Sequence, residues 1–138
     1  MRHIFLALSL IAGLALPISA QSRDITFTTT LARYTGDGAY FAIYLTDNKG
    51  KYQQTIWVAG KKRKYYSNLR DWARGGGKKS SEYDGKTGAS VSSGRTLTIT
   101  QNVDDAFIDQ NFNIVIDTAA EDGNSNRADV ATPLTTAG

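Results

Sequence analysis

The sequence predicts a mainly β fold: a single-domain antiparallel β-sandwich, immunoglobulin- or transthyretin-like, with one inserted amphipathic helix. Three observations predict it. Six or seven short apolar or alternating segments recur along the chain, separated by clusters of Gly, Asn and Asp that make turns. A single stretch carries apolar residues at helical spacing. The 118 residues that follow an apolar leader suffice for one core and are too few for two ordinary ones.

The leader, residues 1–20, has a short basic start (Arg2, His3), an apolar run from Ile4 to Leu16, and Pro17-Ile-Ser-Ala20 before Gln21. These are the parts of a secretory signal peptide, and the apolar run is too short for a membrane anchor. No later run is apolar enough to span a bilayer. The expectation is an exported, periplasmic domain over residues 21–138 with no transmembrane segment in the mature chain.

Within that domain Ile25, Phe27, Thr29 and Leu31 alternate with Thr26, Thr28 and Thr30, predicting a strand over Arg23–Arg33 with one wet face. Ala39 to Leu45 is apolar on both faces and predicts a central strand. Asp47-Asn-Lys-Gly50 predicts a hairpin turn, because Asn and Gly tolerate positive φ. Tyr52 to Val58 is the return strand, with Ile56 and Val58 expected on one face and Trp57 on the other. Tyr65, Leu69 and Trp72, spaced i, i+4 and i+7, predict a helix over Lys64–Arg74 that lays this stripe on a sheet. Gly75-Gly-Gly77 stops it, and a polar loop from Lys78 to Ser93 follows.

Arg95 to Thr100 alternates strictly, with Leu97 and Ile99 inward. Ala106-Phe-Ile108 reads as a short edge strand or a packed turn. Asn111 to Thr118 is a strand with Phe112, Ile114 and Ile116 on one face. Asp122-Gly-Asn-Ser-Asn126 is a turn, and Arg127 to Leu134 a last strand, at a sheet edge or ending because Pro133 has no N–H to donate.

The domain contains no Cys, and its leader holds the chain's one His and one Met, His3 and Met1. That excludes disulfides, thiol nucleophiles and histidine acid–base chemistry. It also removes the usual ligands of zinc, copper, haem and iron–sulfur clusters. Redox chemistry here requires an organic cofactor. Charge is unevenly placed: Lys61 to Lys79 holds eight basic residues and one acid, Asp71, whereas acids concentrate in Asp104-Asp105, Asp109, Asp117 and Glu121-Asp122.

Between helix and strand lies Ser81-Glu-Tyr-Asp-Gly-Lys-Thr-Gly-Ala-Ser90-Val-Ser-Ser-Gly94. Its core, Asp84-x-x-Thr87-Gly88-Ala89-Ser90-x-Ser92, resembles the signature that flavin transferases recognise when they esterify flavin mononucleotide (FMN) onto a protein hydroxyl. The resemblance implies Ser90 as the covalent acceptor, with Asp84, Thr87, Gly88 and Ala89 as the recognition frame. A phosphoester needs an exposed hydroxyl on a backbone that can enter a transferase active site. Gly88 and Ala89 keep that approach open, and Ser92 and Ser93 are neighbouring hydrogen-bonding groups. Lys86 offers charge for a flavin phosphate, and Trp57 and Tyr83 offer rings to stack on isoalloxazine. The plain alternative is an ordinary polar turn, built from the same residue types.

Together with Ala39-Tyr-Phe-Ala-Ile-Tyr-Leu-Thr-Asp47, Thr55-Ile-Trp57, Lys64-Tyr-Tyr-x-x-Leu69-Arg-x-Trp72 and Phe112-Asn-Ile-Val-Ile-Asp-Thr-Ala-Ala-Glu-Asp-Gly123, this loop resembles the DUF2271 family. These are predicted periplasmic proteins associated with PepSY-type membrane proteins and flavin transferases. The resemblance covers most of the domain. It implies an exported flavin-associated protein, and the function expected is a flavin-carrying electron-transfer protein, not an enzyme on its own. Its implied partners are a flavin transferase and a PepSY-type membrane redox protein. Ser90 stands where flavin-acceptor motifs more often carry Thr, and a Trp expected after Ile99 is absent.

The basic segment supports a different expectation: a cofactor-free accessory module that docks a membrane or protein partner through its helix. Lys62, Lys64, Arg70 and Arg74 would alternatively stabilise a flavin phosphate. Aromatics interleaved with basic residues also fit single-stranded nucleic acid, against which export argues. Tyr65 and Trp72 are expected in the core. Asp122-x-Asn124-x-Asn126 begins like a calcium loop, but Arg127 and Pro133 occupy its sixth and twelfth positions, so no metal site is expected.

Overall fold

The computed structural model describes residues 21–36, 38–120 and 125–136. The leader and most of the Asp122–Asn126 turn lie outside the described residues. Strands β1 (Ser22–Thr30) and β5 (Thr96–Asp104) pair antiparallel along their whole length as a two-stranded sheet. Strands β2 (Tyr40–Thr46), β3 (Tyr52–Ala59), β4 (Thr87–Gly88), β6 (Asn113–Ala119) and β7 (Ser125–Pro133) form a five-stranded sheet in the order β4-β3-β2-β6-β7. All its pairings are antiparallel except β3 with the two-residue β4. Pro133 ends β7 at the sheet edge, where its missing N–H costs no ladder bond.

β2 is central because both of its faces are apolar, and all seven of its residues are buried. Phe41, Ile43 and Leu45 point to one core, shared with Phe27 of β1, Val103 of β5, Ile56 and Ile116. That core joins the two sheets. Tyr40, Ala42 and Tyr44 point to a second core with Val58, Tyr66, Leu69, Trp72 and Tyr83, which is roofed by the segment after β3. The sandwich therefore carries a helical third layer on one sheet.

Three local expectations are corrected. The β2–β3 ladder shifts register between Ile43, opposite Trp57, and Tyr44, opposite Thr55. Ile56 is the extra residue of a bulge. The bulge puts Ile56 and Trp57 together against the inter-sheet core, while Val58 faces the aromatic core.

The single expected helix is two pieces: a 3-10 turn, Arg63–Asn68, and helix α1, Arg70–Gly75, separated at Leu69 (φ −85°, ψ 77°). Breaking there buries Tyr66 in place of Tyr65, alongside Leu69 and Trp72. It also starts α1 beside Asp117 of β6, whose carboxylate accepts the otherwise unpaired N–H of Trp72 at 2.8 Å. Gly76, at φ 121°, ends the helix as its sequence predicts.

The Lys78–Ser93 loop has structure of its own: a one-turn helix, α2 (Ser80–Tyr83), and then β4. Asp105–Phe107 is a 3-10 turn capped by the Asp104 side chain on Ala106 N, so this region is the packed turn of the two readings, with Ile108 buried.

Candidate functional site

From Tyr83 to Arg95 the chain is pinned at nearly every turn, and the pins decide which side chains it displays. Lys86 N donates to Tyr83 O at 2.8 Å across Asp84 (φ −58°, ψ 128°) and Gly85 (φ 78°). These are the angles of a type II turn, whose third position a side chain would strain. Asp84 stands exposed at its tip. β4 then adds to the edge of β3, with Val58 N donating to Lys86 O at 2.8 Å and Gly60 N to Gly88 O at 2.7 Å.

Gly88 is required by what lies beneath it. A Cβ there would sit 2.7 Å from Cζ2 of Trp57. The glycine thus seals the indole ring, and Trp57 Nε1 is buried with no hydrogen-bond partner. An enclosed donor of this kind costs about 1–3 kcal/mol relative to a satisfied one.

Ala89 and Ser90 follow and are exposed. Val91 is clamped immediately after them, exchanging two backbone bonds with Ala39 (2.8 and 3.2 Å). Ser90 Oγ lies over Gly38, where an added Cβ would come within 2.6 Å of it. Its hydroxyl makes no hydrogen bond to any described residue. Beyond it Arg95 N donates to Ser92 O at 3.0 Å, and Tyr34 N donates to Ser93 Oγ at 2.6 Å. Ala89-Ser90 is accordingly a two-residue exposed span between fixed points.

Thr87 and Gly88 form β4 along the edge of β3, with Gly88 over Trp57, and Ala89 and Ser90 follow with Ser90 over Gly38. The other expected contacts are placed differently. Tyr83 is 5% exposed and belongs to the aromatic core, edge-on to Tyr66 (5.2 Å between centroids) and near Trp72 (6.3 Å), with Arg63 5.4 Å above its ring. Its position at the end of α2 turns the ring inward, so it does not stand free for a cofactor. Lys86 is half-buried and donates from Nζ to Thr55 O at 3.0 Å, which ties its charge to β3. Ser92 is exposed, and Trp57 is half-buried under Gly88.

The eight basic side chains from Lys61 to Lys79 are all exposed. Arg23 and Asp105 form a salt bridge (2.9 Å), far in sequence from that group. Lys78 donates to Ser67 at 2.7 Å and Lys64 lies 5.0 Å from the Tyr65 ring. Gly60, bonded to Gly88, leads directly into Lys61 and Lys62, so the start of the basic run flanks β4.

Sequence reasoning passed over a buried polar network behind this loop. Asp117, fully buried, accepts from Tyr44 OH at 2.8 Å as well as from Trp72 N. Trp72 Nε1 donates to Thr55 Oγ1 at 2.9 Å; Tyr52 OH reaches Thr55 Oγ1 at 2.7 Å and Glu82 at 2.9 Å. Burial, then the bond to Asp117, pushes the Tyr44 phenol well above the ordinary tyrosine range, and burial does the same to Tyr52. The available signal was Asp117 itself, a carboxylate inside an apolar strand.

No group of three metal-ligating side chains occurs among the described residues, and none of their helices is long and apolar enough to cross a membrane. Neither the curated proteins nor the solved structures contain a match to the chain. A family model does match, over residues 22–138, which includes both sheets, the helical layer and the pinned loop. The chain belongs to the DUF2271 family, described as predicted periplasmic proteins.

Proposed function

We propose that this is an exported electron carrier with FMN esterified to Ser90 by a flavin transferase. The observation that carries the reading is the state of Ser90: an exposed residue whose hydroxyl bonds to no described residue, on a span fixed by β4 before it and the Ala39–Val91 bridge after it. A transferase needs such a group, since the hydroxyl must reach a phosphorus atom while the surrounding fold stays intact. The donor is a flavin nucleotide with an activated phosphate. Its phosphorus–oxygen bond to the leaving group breaks, a bond to Oγ forms, and the serine proton is lost. Bound FMN supplies one- or two-electron chemistry that no side chain of the domain offers.

The residues fit the group in part. Ser90 would hold it, with Asp84, Thr87, Gly88 and Ala89 as the frame the transferase reads and Ser92 as a nearby hydrogen-bonding group. Trp57 lies beneath Gly88 as a support for the loop, and Lys61 and Lys62 bring positive charge beside β4. Tyr83 and Lys86 act as anchors of that loop. A membrane redox protein of PepSY type is the proposed electron partner.

Co-expression with a flavin transferase and export should give a protein heavier by one FMN residue, visible as a fluorescent band in a denaturing gel. Ser90→Ala should abolish the label and leave the melting temperature within about 3 °C of wild type, as for surface substitutions generally. An unlabelled wild type, or an equally labelled Ser90→Ala, overturns the reading.

The exposed basic run favours a second reading, in which the domain is a cofactor-free module docking an anionic partner. Binding of that kind falls steeply with salt and survives Ser90→Ala.

A further inference from the structure

At the opposite end of β2 from Ser90 is a cavity of about 270 Å³ that the flavin reading does not use. It lies between the β2–β3 turn (Asn48), the start of β6 (Phe112, Asn113) and the end of β7 (Pro133, Thr135). We propose that this cavity binds one neutral pyranose ring, as a free sugar or a unit of a glycan.

The lining chemistry selects the ligand class. Asn48, Asn111 and Asn113 each present an amide, which both donates and accepts, and none of these side chains bonds to a described residue. Phe112 and Pro133 add apolar surface suited to the C–H face of a sugar ring. Among the described residues no basic side chain lines the cavity, so nothing in it compensates a phosphate, sulfate or carboxylate. A hydroxyl-rich neutral molecule satisfies amides and rings together. At about 270 Å³ the cavity lies just below the usual range of small-molecule pockets, about 300–1,000 Å³, which suits a ligand of a single ring.

The rim is also built and held. Asp109 (φ 57°) and Asn111 (φ 65°) are the non-glycine residues with positive φ among those described, and both line the cavity. Such conformations persist where surrounding bonds over-determine them. Here Thr136 donates twice to the Asp109 carboxylate, from N at 2.9 Å and Oγ1 at 2.8 Å, which holds that carboxyl below its ordinary range. Asp109 N donates to Leu134 O and Leu134 N to Phe112 O, both at 2.9 Å. Asp109 is thereby committed to the rim, and the three asparagines remain for a ligand.

The test titrates the full exported chain, labelled with ¹⁵N, with the methyl glycosides of glucose, galactose, mannose and N-acetylglucosamine, and separately with sulfate. At least one glycoside should shift the side-chain amide signals of Asn48, Asn111 and Asn113 saturably, with a dissociation constant in the millimolar range. Asn111→Gly removes one amide while tolerating the same φ. It should weaken binding about tenfold and leave the melting temperature equal or higher. Ser90→Ala should bind the sugar as wild type does, which separates this site from the flavin reading. The inference is overturned if none of the four glycosides gives saturable shifts, if Asn111→Gly binds unchanged, or if sulfate moves the same signals as strongly.

Discussion

The two faces of β2 are held by different physics. Toward the two-stranded sheet, Phe41, Ile43 and Leu45 meet Phe27, Ile56, Val103 and Ile116, and this core owes its cohesion to shape and to water removed. Toward the helical layer, Tyr40 and Tyr44 meet Tyr66, Trp72 and Tyr83, and hydrogen bonds run through the packing by way of Asp117 and Thr55. An aliphatic face tolerates small slips of whatever covers it. A network of buried polar groups does not, because each displaced donor is left unpaired. The helical layer is made of short pieces that no helix propensity stabilises alone. Asp117 fixes α1 through Trp72, and Glu82, through Tyr52, fixes α2. The loop that displays Ser90 leaves directly from α2, so its presentation depends on the polar face.

The largest effect expected from breaking this contrast is on the aliphatic side. Phe41 is fully buried, and Phe41→Ala should cost about 3–5 kcal/mol in urea denaturation through the cavity it leaves. Amide exchange should then accelerate across both sheets. Asp117→Asn keeps the shape but supplies one acceptor where Tyr44 and Trp72 N need two, at a cost of about 1–3 kcal/mol. Its exchange signature should be local, concentrated between residues 63 and 88, with β1 and β5 little changed. Uniform acceleration in Asp117→Asn would show that the carboxylate is one core contact among many and not the tether of the insertion.

This contrast also separates what was legible in the sequence from what was not. Strands were readable because alternation is a local signal: Ile25 and Phe27, Leu97 and Ile99, and the doubly apolar Ala39–Leu45 fix faces and centrality without knowledge of the partner. The bulge at Ile56 was not, since an extra residue is a property of the ladder between two strands. Nor was the break at Leu69. The i, i+4, i+7 stripe was present, but Asp117, forty-five residues beyond Trp72, captures the N–H that starts α1. In the loop, the resemblance to a flavin-acceptor signature marked Gly88 and Ser90. The reasons for their display, Trp57 under one and Gly38 under the other, come from tertiary contact. Tyr83 illustrates the limit: beside polar residues it read as available, and one helical turn directs it into the aromatic core.

The smallest and most discriminating change is Tyr44→Phe. Burial first, and then the bond to Asp117, raise the folded-state pKa of Tyr44, whereas in the unfolded chain it ionises near about 10. A phenol held protonated in the native state contributes stability that is fully present below the unfolded value and is lost as pH rises beyond it. Tyr52 acts in the same direction. Wild-type stability should therefore be flat in this respect at neutral pH and fall above about pH 10, each such tyrosine adding up to about 1.4 kcal/mol per pH unit. Tyr44→Phe removes one of these groups. It should cost about 0.5–1.5 kcal/mol at pH 7 and reduce the alkaline slope by the share of one tyrosine. Phe41→Ala, on the other face, should lower the whole curve and leave its slope unchanged. Urea titrations from pH 7 to 11 distinguish the two. An alkaline slope identical in wild type and Tyr44→Phe would mean that the native state lets Tyr44 ionise, and that the polar face is looser than its hydrogen bonds imply.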